Sequence, residues 1–218
     1  MDERVDFPNR RTVLKGAAVI AAAGAATSCG GTKPMSSAKR LTSDEIIDLL
    51  QLQPNATCGF VRVTFTSELS VAPGGLPAPF ANGRPLGSAL YFLVTPHAPV
   101  RPHRIKNEQL YHYYLGDPLE VFLLHSGGEA ERVVVGPDIA NGQRVQLLIP
   151  GNTFHTARLL GQGEWFLGAS TEWPGVVPTE DVEIGDVDKL AAEYPSVADE
   201  IRSIVASVRV QTPPGGPR

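Results

Sequence analysis

Gln109-Leu110-Tyr111-His112-Tyr113-Tyr114-Leu115-Gly116-Asp117-Pro118-Leu119-Glu120-Val121-Phe122-Leu123-Leu124-His125 reads as two strands joined by a turn. Aromatic, Val and Leu side chains dominate both runs. Gly116-Asp117-Pro118 supplies residues that reverse a chain, glycine through its tolerance of positive φ and proline through its fixed φ. The same alternation continues in both directions. Strand-like runs occupy residues 60–66, 88–95, 109–114, 119–125, 132–135, 144–149, 153–160 and 165–170. Between them lie Gly74-Gly75, Asn82-Gly83, Gly127-Gly128, Asn141-Gly142 and Gly161-Gln162-Gly163. Only closure or a second sheet buries the apolar faces of so many short strands, so the expected fold is all-β, a jelly-roll barrel.

Helices are confined to the ends of the domain. Thr42-Ser43-Asp44-Glu45 has capping-box spacing, and Ile46, Ile47, Leu49 and Leu50 give one apolar face, so a short helix is predicted to about Leu52. A second helical region covers 186–194, breaks at Pro195-Ser196 and resumes from Val197 to about Val208, with Ile201, Ile204 and Val205 on one side. The tail, residues 209–218, contains Pro213-Pro214-Gly215-Gly216-Pro217 and is expected to be disordered. A chain of 218 residues suits one folded domain, placed at residues 41–208.

The N-terminus carries an address. Asn9-Arg10-Arg11-Thr12-Val13-Leu14-Lys15 resembles a twin-arginine export motif, and an Ala, Gly, Val and Ile stretch follows over residues 16–26. That is too short for a helix crossing a ~30 Å hydrocarbon core, so residues 1–28 read as a signal peptide rather than a resident span. Ala26-Thr27-Ser28-Cys29 resembles a lipoprotein cleavage box with Cys29 as the lipidated first residue. The alternative is an ordinary Cys29, free to pair with Cys58 in an oxidising compartment. Residues 29–40 read as a flexible tether. The expected location is outside the cytoplasm, with the membrane a partner only through a lipid on Cys29. The formal charge is −4, and beyond residue 28 there are 15 basic and 20 acidic groups. No basic run interleaved with aromatics remains to neutralise phosphates, which excludes nucleic acid as a partner.

Histidines are the main carriers of chemistry. His103 and His112 flank Glu108 and Gln109, and His155 follows Pro150-Gly151-Asn152; a jelly roll can bring these segments together. Imidazole nitrogen with carboxylate oxygen suits a divalent metal, and a neutral imidazole beside a carboxyl suits proton transfer. On one regular strand Glu108 and His112 share a face and Gln109 takes the other. Within the run Tyr111-His112-Tyr113-Tyr114, the second reading of His112 is a hydrogen-bonded residue in a mixed interior. His97 and His125, beside turns, read as surface residues.

These blocks also resemble a known family. Residues 83–93 (Gly83-Arg84-Pro85 through Tyr91-Phe92-Leu93), His103-Arg104-Ile105-Lys106, His112-Tyr113-Tyr114-Leu115-Gly116-Asp117-Pro118-Leu119-Glu120, Gly136-Pro137-Asp138, Gly142-Gln143-Arg144-Val145-Gln146 and Pro150-Gly151 are similar, in order, to the cupin group of unknown function within the RmlC-like superfamily. The resemblance implies a double-stranded β-helix, a homodimer and a small-molecule pocket inside the barrel. Arg62, Tyr91, His103, His112 and Gln146 match the family pattern and are expected to line that pocket with Gln109 and His155. The family usually has Glu where this chain has Gln109, Gln where it has His155, and Glu where it has Val63. An amide has no accessible pKa and offers a metal only a neutral oxygen, so the departure at Gln109 removes a base or a charged ligand. His103, Glu108 and His155 can together rebuild a divalent-metal site, although the general cupin pattern also has a His where this chain has Arg101.

Two functions follow as expectations. The first is an exported protein that binds a small molecule, a carbohydrate or an organic acid, in the barrel. The second is an enzyme: a carbohydrate epimerase or isomerase with His103 as base and Tyr91 or Tyr113 as acid, or a metal-dependent enzyme on His103, Glu108 and His155. Nucleotide-linked sugars stay in the cytoplasm, which ranks their epimerisation low for an exported chain. A barrel filled by Leu, Val and Phe would instead mark a purely structural protein.

Overall fold

In the computed structural model the described residues are 40–208. The signal peptide, Cys29, most of the tether and the tail lie outside them. Helix α1 (Ser43–Leu50) opens on the expected capping box, with the Glu45 backbone N–H donating to Thr42 Oγ1 at 3.2 Å and the Thr42 backbone N–H donating to Glu45 Oε2 at 2.7 Å. It ends at Gln51, whose left-handed backbone lets Leu52 turn back under the helix.

Thirteen strands follow: β1 (Gln53–Pro54), β2 (Phe60–Thr66), β3 (Ser70–Val71), β4 (Arg84–Pro85), β5 (Ser88–Val94), β6 (Val100–Ile105), β7 (Glu108–Gly116), β8 (Leu119–Leu124), β9 (Ala130–Val135), β10 (Gln146–Ile149), β11 (Phe154–Leu159), β12 (Phe166–Trp173) and β13 (Val182–Ile184). Helix α2 (Pro178–Asp181) precedes β13, and α3 (Val187–Glu193) and α4 (Ala198–Ala206) close the domain. Six strands form one sheet in the order β1-β2-β5-β12-β7-β10, and five form the other as β13-β6-β11-β8-β9. All of the pairings are antiparallel, as a jelly roll requires.

Five strands escape the sequence reading: β1, β3 and β4, of two residues each, and two longer ones. In β6, Val100-Arg101-Pro102-His103-Arg104-Ile105, the proline and two arginines mask a run that is nonetheless paired on both sides. The register with β11 shifts between His103 and Val100, and Pro102 sits within that irregularity, where a ladder N–H is not needed. The second, β13, is only three residues long and pairs along the other edge of β6.

Packing inside the barrel is uneven. Toward one end Val94, Leu119, Val121, Val135, Leu147 and Phe166 fill the space between the sheets. Gly116 makes the tight β7–β8 connection there; its φ is +93°, and a Cβ would meet the Trp165 carbonyl and ring. Outside, α3 and α4 cover the five-stranded sheet by placing Leu190, Tyr194, Ile201 and Ile204 on Phe122 and Leu124. Helix α1 covers part of the six-stranded sheet, with Ile46 and Leu52 on Leu93, Trp165 and Leu167. The opposite end of the barrel interior is hollow.

Candidate functional site

The hollow is a cavity of about 270 Å³. Its walls are Val61, Leu90, Phe92, Ile105, Val176 and Val182, and its polar groups are Cys58, Ser88, His103, Gln109, Tyr111, Ser170 and Glu172. The lining residues Asn55, Val63, Thr66 and Pro178 are exposed and mark its mouth.

The pairing of β6 with β11 sets His103 directly opposite His155, with ring centroids 4.2 Å apart. His103 Nδ1 lies 2.8 Å from the Arg101 carbonyl and donates to it, so Nε2 is left as the acceptor. Cys58 Sγ is 3.8 Å from that nitrogen. His155 Nδ1 donates to the Thr153 carbonyl at 3.3 Å, and its Nε2 accepts the Tyr111 hydroxyl at 2.9 Å. Burial makes each of these groups neutral. It pushes His103 down to about 4 and His155 well below the usual histidine range, with the neighbouring His103 adding to the effect. It pushes the Cys58 thiol up to about 11 and raises Tyr111.

One inward step along β7 from Tyr111 is Gln109, opposite Glu172 on β12. Ser88 Oγ, which accepts from the Val176 backbone N–H at 3.1 Å, donates to Glu172 Oε2 at 2.6 Å. Burial raises the Glu172 pKa, opposed by its hydrogen bonds to Ser170 and Ser88. Among the described residues no Lys or Arg side chain lines the cavity.

The candidate residues divide between the two faces of the sheet. His103 and Gln109 line the cavity, and His155 lies buried behind its wall against His103 and Tyr111. Arg62, Tyr91, His112 and Gln146 form one row across the six-stranded sheet, with Ala169 between Tyr91 and His112. Their strand neighbours Val61, Leu90, Phe92, Tyr111 and Leu147 point inward, so alternation turns this row outward and away from the pocket expected of it. There Gln146 Nε2 donates to His112 Nδ1 at 3.0 Å, and His112 Nε2 donates to Thr171 Oγ1 at 2.8 Å. Arg62 reaches the Leu50 carbonyl at 3.1 Å, and Tyr91 meets Tyr114 edge-on at 6.0 Å. Tyr113 is inside but packs on Phe166 and gives its hydroxyl to the Gly116 carbonyl, so neither Tyr91 nor Tyr113 stands beside His103 as an acid.

The expected metal trio is likewise not assembled. Glu108 is exposed and lies opposite Trp173, on the outward parity of β7 with His112. Arg101 extends to the Ala56 carbonyl at 3.5 Å. His155 Nε2 is occupied by Tyr111 and the thiol is protonated, so the donor set here does not fit a divalent ion. Among the described residues no group of three His, Cys, Asp or Glu side chains does. Cys58, Tyr111 and Glu172 were not among the expected site residues. Their signal is parity: Tyr111 is two residues from Gln109, and Glu172 is an acid two residues beyond Ser170 in an apolar run.

A two-sheet jelly roll with a packed end and a hollow end defines a cupin barrel. Residues 44–183 match the family described as Cupin superfamily (DUF985), and the chain belongs to that family. Among solved structures, a protein from Shewanella oneidensis is similar at 23% identity, covering 79% of this chain and 100% of its own, with a TM-score of 0.67. A hypothetical protein from Leishmania major is similar at 23% identity, covering 78% and 100%, with a TM-score of 0.65. At this identity the likeness is one of fold. No curated protein matches.

Proposed function

We propose that this chain is an exported binding protein that holds a small, uncharged polar molecule inside the barrel. The observation that carries the reading is the unfilled cavity into which both sheets direct hydrogen-bonding groups while the rest of the interior is close-packed. A mostly apolar hollow with a few converging polar groups is how a fold accommodates a ligand. At about 270 Å³ the space suits a molecule of monosaccharide size. Because the imidazoles are neutral and no cation lines the wall, a carboxylate or phosphate would lose its hydration without a counter-charge. Of the two expected ligand classes, carbohydrates are therefore favoured over organic acids.

A thermal-shift screen tests this. Neutral sugars or polyols at about 100 times Kd should add about 2.7 kcal/mol, raising Tm by several degrees, while organic acid anions should not. Val61→Trp, which fills the hollow, should abolish the shift. A flat screen, with Val61→Trp more stable than the parent, would reduce the barrel to a structural unit.

The address is part of the same proposal. Arg10-Arg11 and the stretch that follows support export of the folded domain, and Cys29 supports a lipid anchor. Cys58 Sγ turns into the cavity between His103 and Tyr111, so a bridge to Cys29 would have to thread the tether into the barrel, which favours lipidation over pairing. Mass spectrometry of the membrane fraction should find acyl chains on Cys29. A product released in soluble form and beginning elsewhere would remove the anchor.

A further inference from the structure

Gln109 and Glu172 form a pair with an unmet need. Both are almost fully buried, at 4% and 3% exposure, and they face each other across β7 and β12 at the cavity wall. The Gln109 amide oxygen accepts from Ser170 Oγ at 3.3 Å, but its Nε2 has no hydrogen-bond partner. A buried donor left unpaired costs about 1–3 kcal/mol, so a fold that keeps one beside a hollow keeps it for something that enters the hollow. Beside it, the Glu172 carboxyl receives Ser88 Oγ and, among the described residues, forms no ion pair with Arg or Lys.

We infer that Gln109 and Glu172 are the head-group subsite of the cavity, and that the group they take is an uncharged vicinal diol. The inference rests on the ligand-binding reading and names the chemistry that the site selects. One hydroxyl accepts from Gln109 Nε2 while its neighbour donates to the Glu172 carboxyl. Each hydroxyl carries both functions, so two adjacent ones satisfy a donor and an acceptor fixed on neighbouring strands. An ammonium group would satisfy Glu172 but confront the amide donor with another donor. A carboxylate would satisfy Gln109 but confront Glu172 with a like charge. Elsewhere on the cavity wall, His103 Nε2 beside the Cys58 thiol offers an acceptor to a further hydroxyl, and Phe92 and Leu90 offer an apolar wall to the C–H face of a ring.

Calorimetric titration with a defined set of probes tests the pairing: neutral monosaccharides and cyclitols, each with its mono-deoxy counterpart, together with short amines and short carboxylates. Removing one hydroxyl of the diol should weaken binding to the unmodified protein roughly tenfold or more. In Gln109→Leu or Glu172→Met the deletion of the hydroxyl that the lost side chain held should cost less than about threefold, because that hydroxyl's partner is already gone. A general loss of packing lowers affinity for both members of a probe pair and leaves their ratio unchanged, so the ratio separates recognition from structure. Should Gln109→Leu fail to fold, Glu172→Met keeps a similar side-chain length, removes the partner of the other hydroxyl and reads the same coupling. A deoxy penalty that persists undiminished in both variants overturns the inference while leaving a ligand-binding barrel in place. Preference for amines or carboxylates also overturns it, and a cavity that takes no probe removes both readings.

Discussion

Arg84→Ala should lower the unfolding free energy by about 3–5 kcal/mol, the range for leaving one member of a buried ion pair without its partner. The guanidinium is 1% exposed and the Asp181 carboxylate 0%. Arg84 Nε donates to Asp181 Oδ2 at 3.2 Å, and Nη2 donates to Asp181 Oδ1 and to Glu180 Oε2, both at 2.9 Å. Asp181 Oδ2 also caps the Val177 backbone N–H at 2.8 Å. The pair fastens β4 to α2, the segment whose Val176 and Pro178 flank the cavity mouth, so the variant should weaken ligand capture as well. Urea unfolding measures the first effect. Replacing both partners by apolar residues should recover much of the loss, because the larger part of it is the abandoned Asp181 charge rather than the worth of the pair. A shift below about 1 kcal/mol in Arg84→Ala would show that water reaches Asp181 and that the pair is not buried in solution.

The second large effect is loss of stability in mild acid. A histidine whose folded pKa is depressed stays neutral in the native state while the unfolded chain takes up a proton. Stability is therefore full above about 6.5 and falls as the pH drops toward the folded value. For His103, depressed from 6.5 to about 4, the loss is on the order of 3 kcal/mol by pH 4. His155 adds to it in the same direction. Glu172 opposes them, because a carboxyl with a raised folded pKa gains stability as the pH falls. Denaturant midpoints measured at pH 7 and pH 4.5 should differ strongly in the parent protein and less in His155→Gln, where Tyr111 retains an amide acceptor. The flattest profile is expected when His103→Asn is added. Identical acid slopes in all three proteins would mean that the imidazoles are hydrated and not buried as a pair.

The fold was legible because strand and turn chemistry alternate openly from Phe60 to Ser170. Its gaps have local causes. Pro102 and two arginines hide β6, yet the register irregularity that shelters the proline also delivers His103 opposite His155. The site was legible only in part. Alternation along one strand separates Glu108 from Gln109, but which parity faces the hollow is decided by partners far away in the chain. The family pattern carries no such sign, so it pooled the outer row Arg62, Tyr91, His112 and Gln146 with the inner His103. The carboxyl missing at Gln109 is supplied from across the strand pair by Glu172. That residue lies two positions past the point where the sequence reading ended the last strand.

The half-filled barrel also divides the molecule mechanically. Strands β8 and β9, with β7 and β11, rest on a dense apolar floor and should yield only when the whole domain does. Strand β2 and the short β13, by contrast, border empty space and make few apolar contacts at the rim. On the proposed ligand-binding reading, a guest is admitted by a local breathing of that rim while the floor keeps its shape, with no need for the domain to unfold.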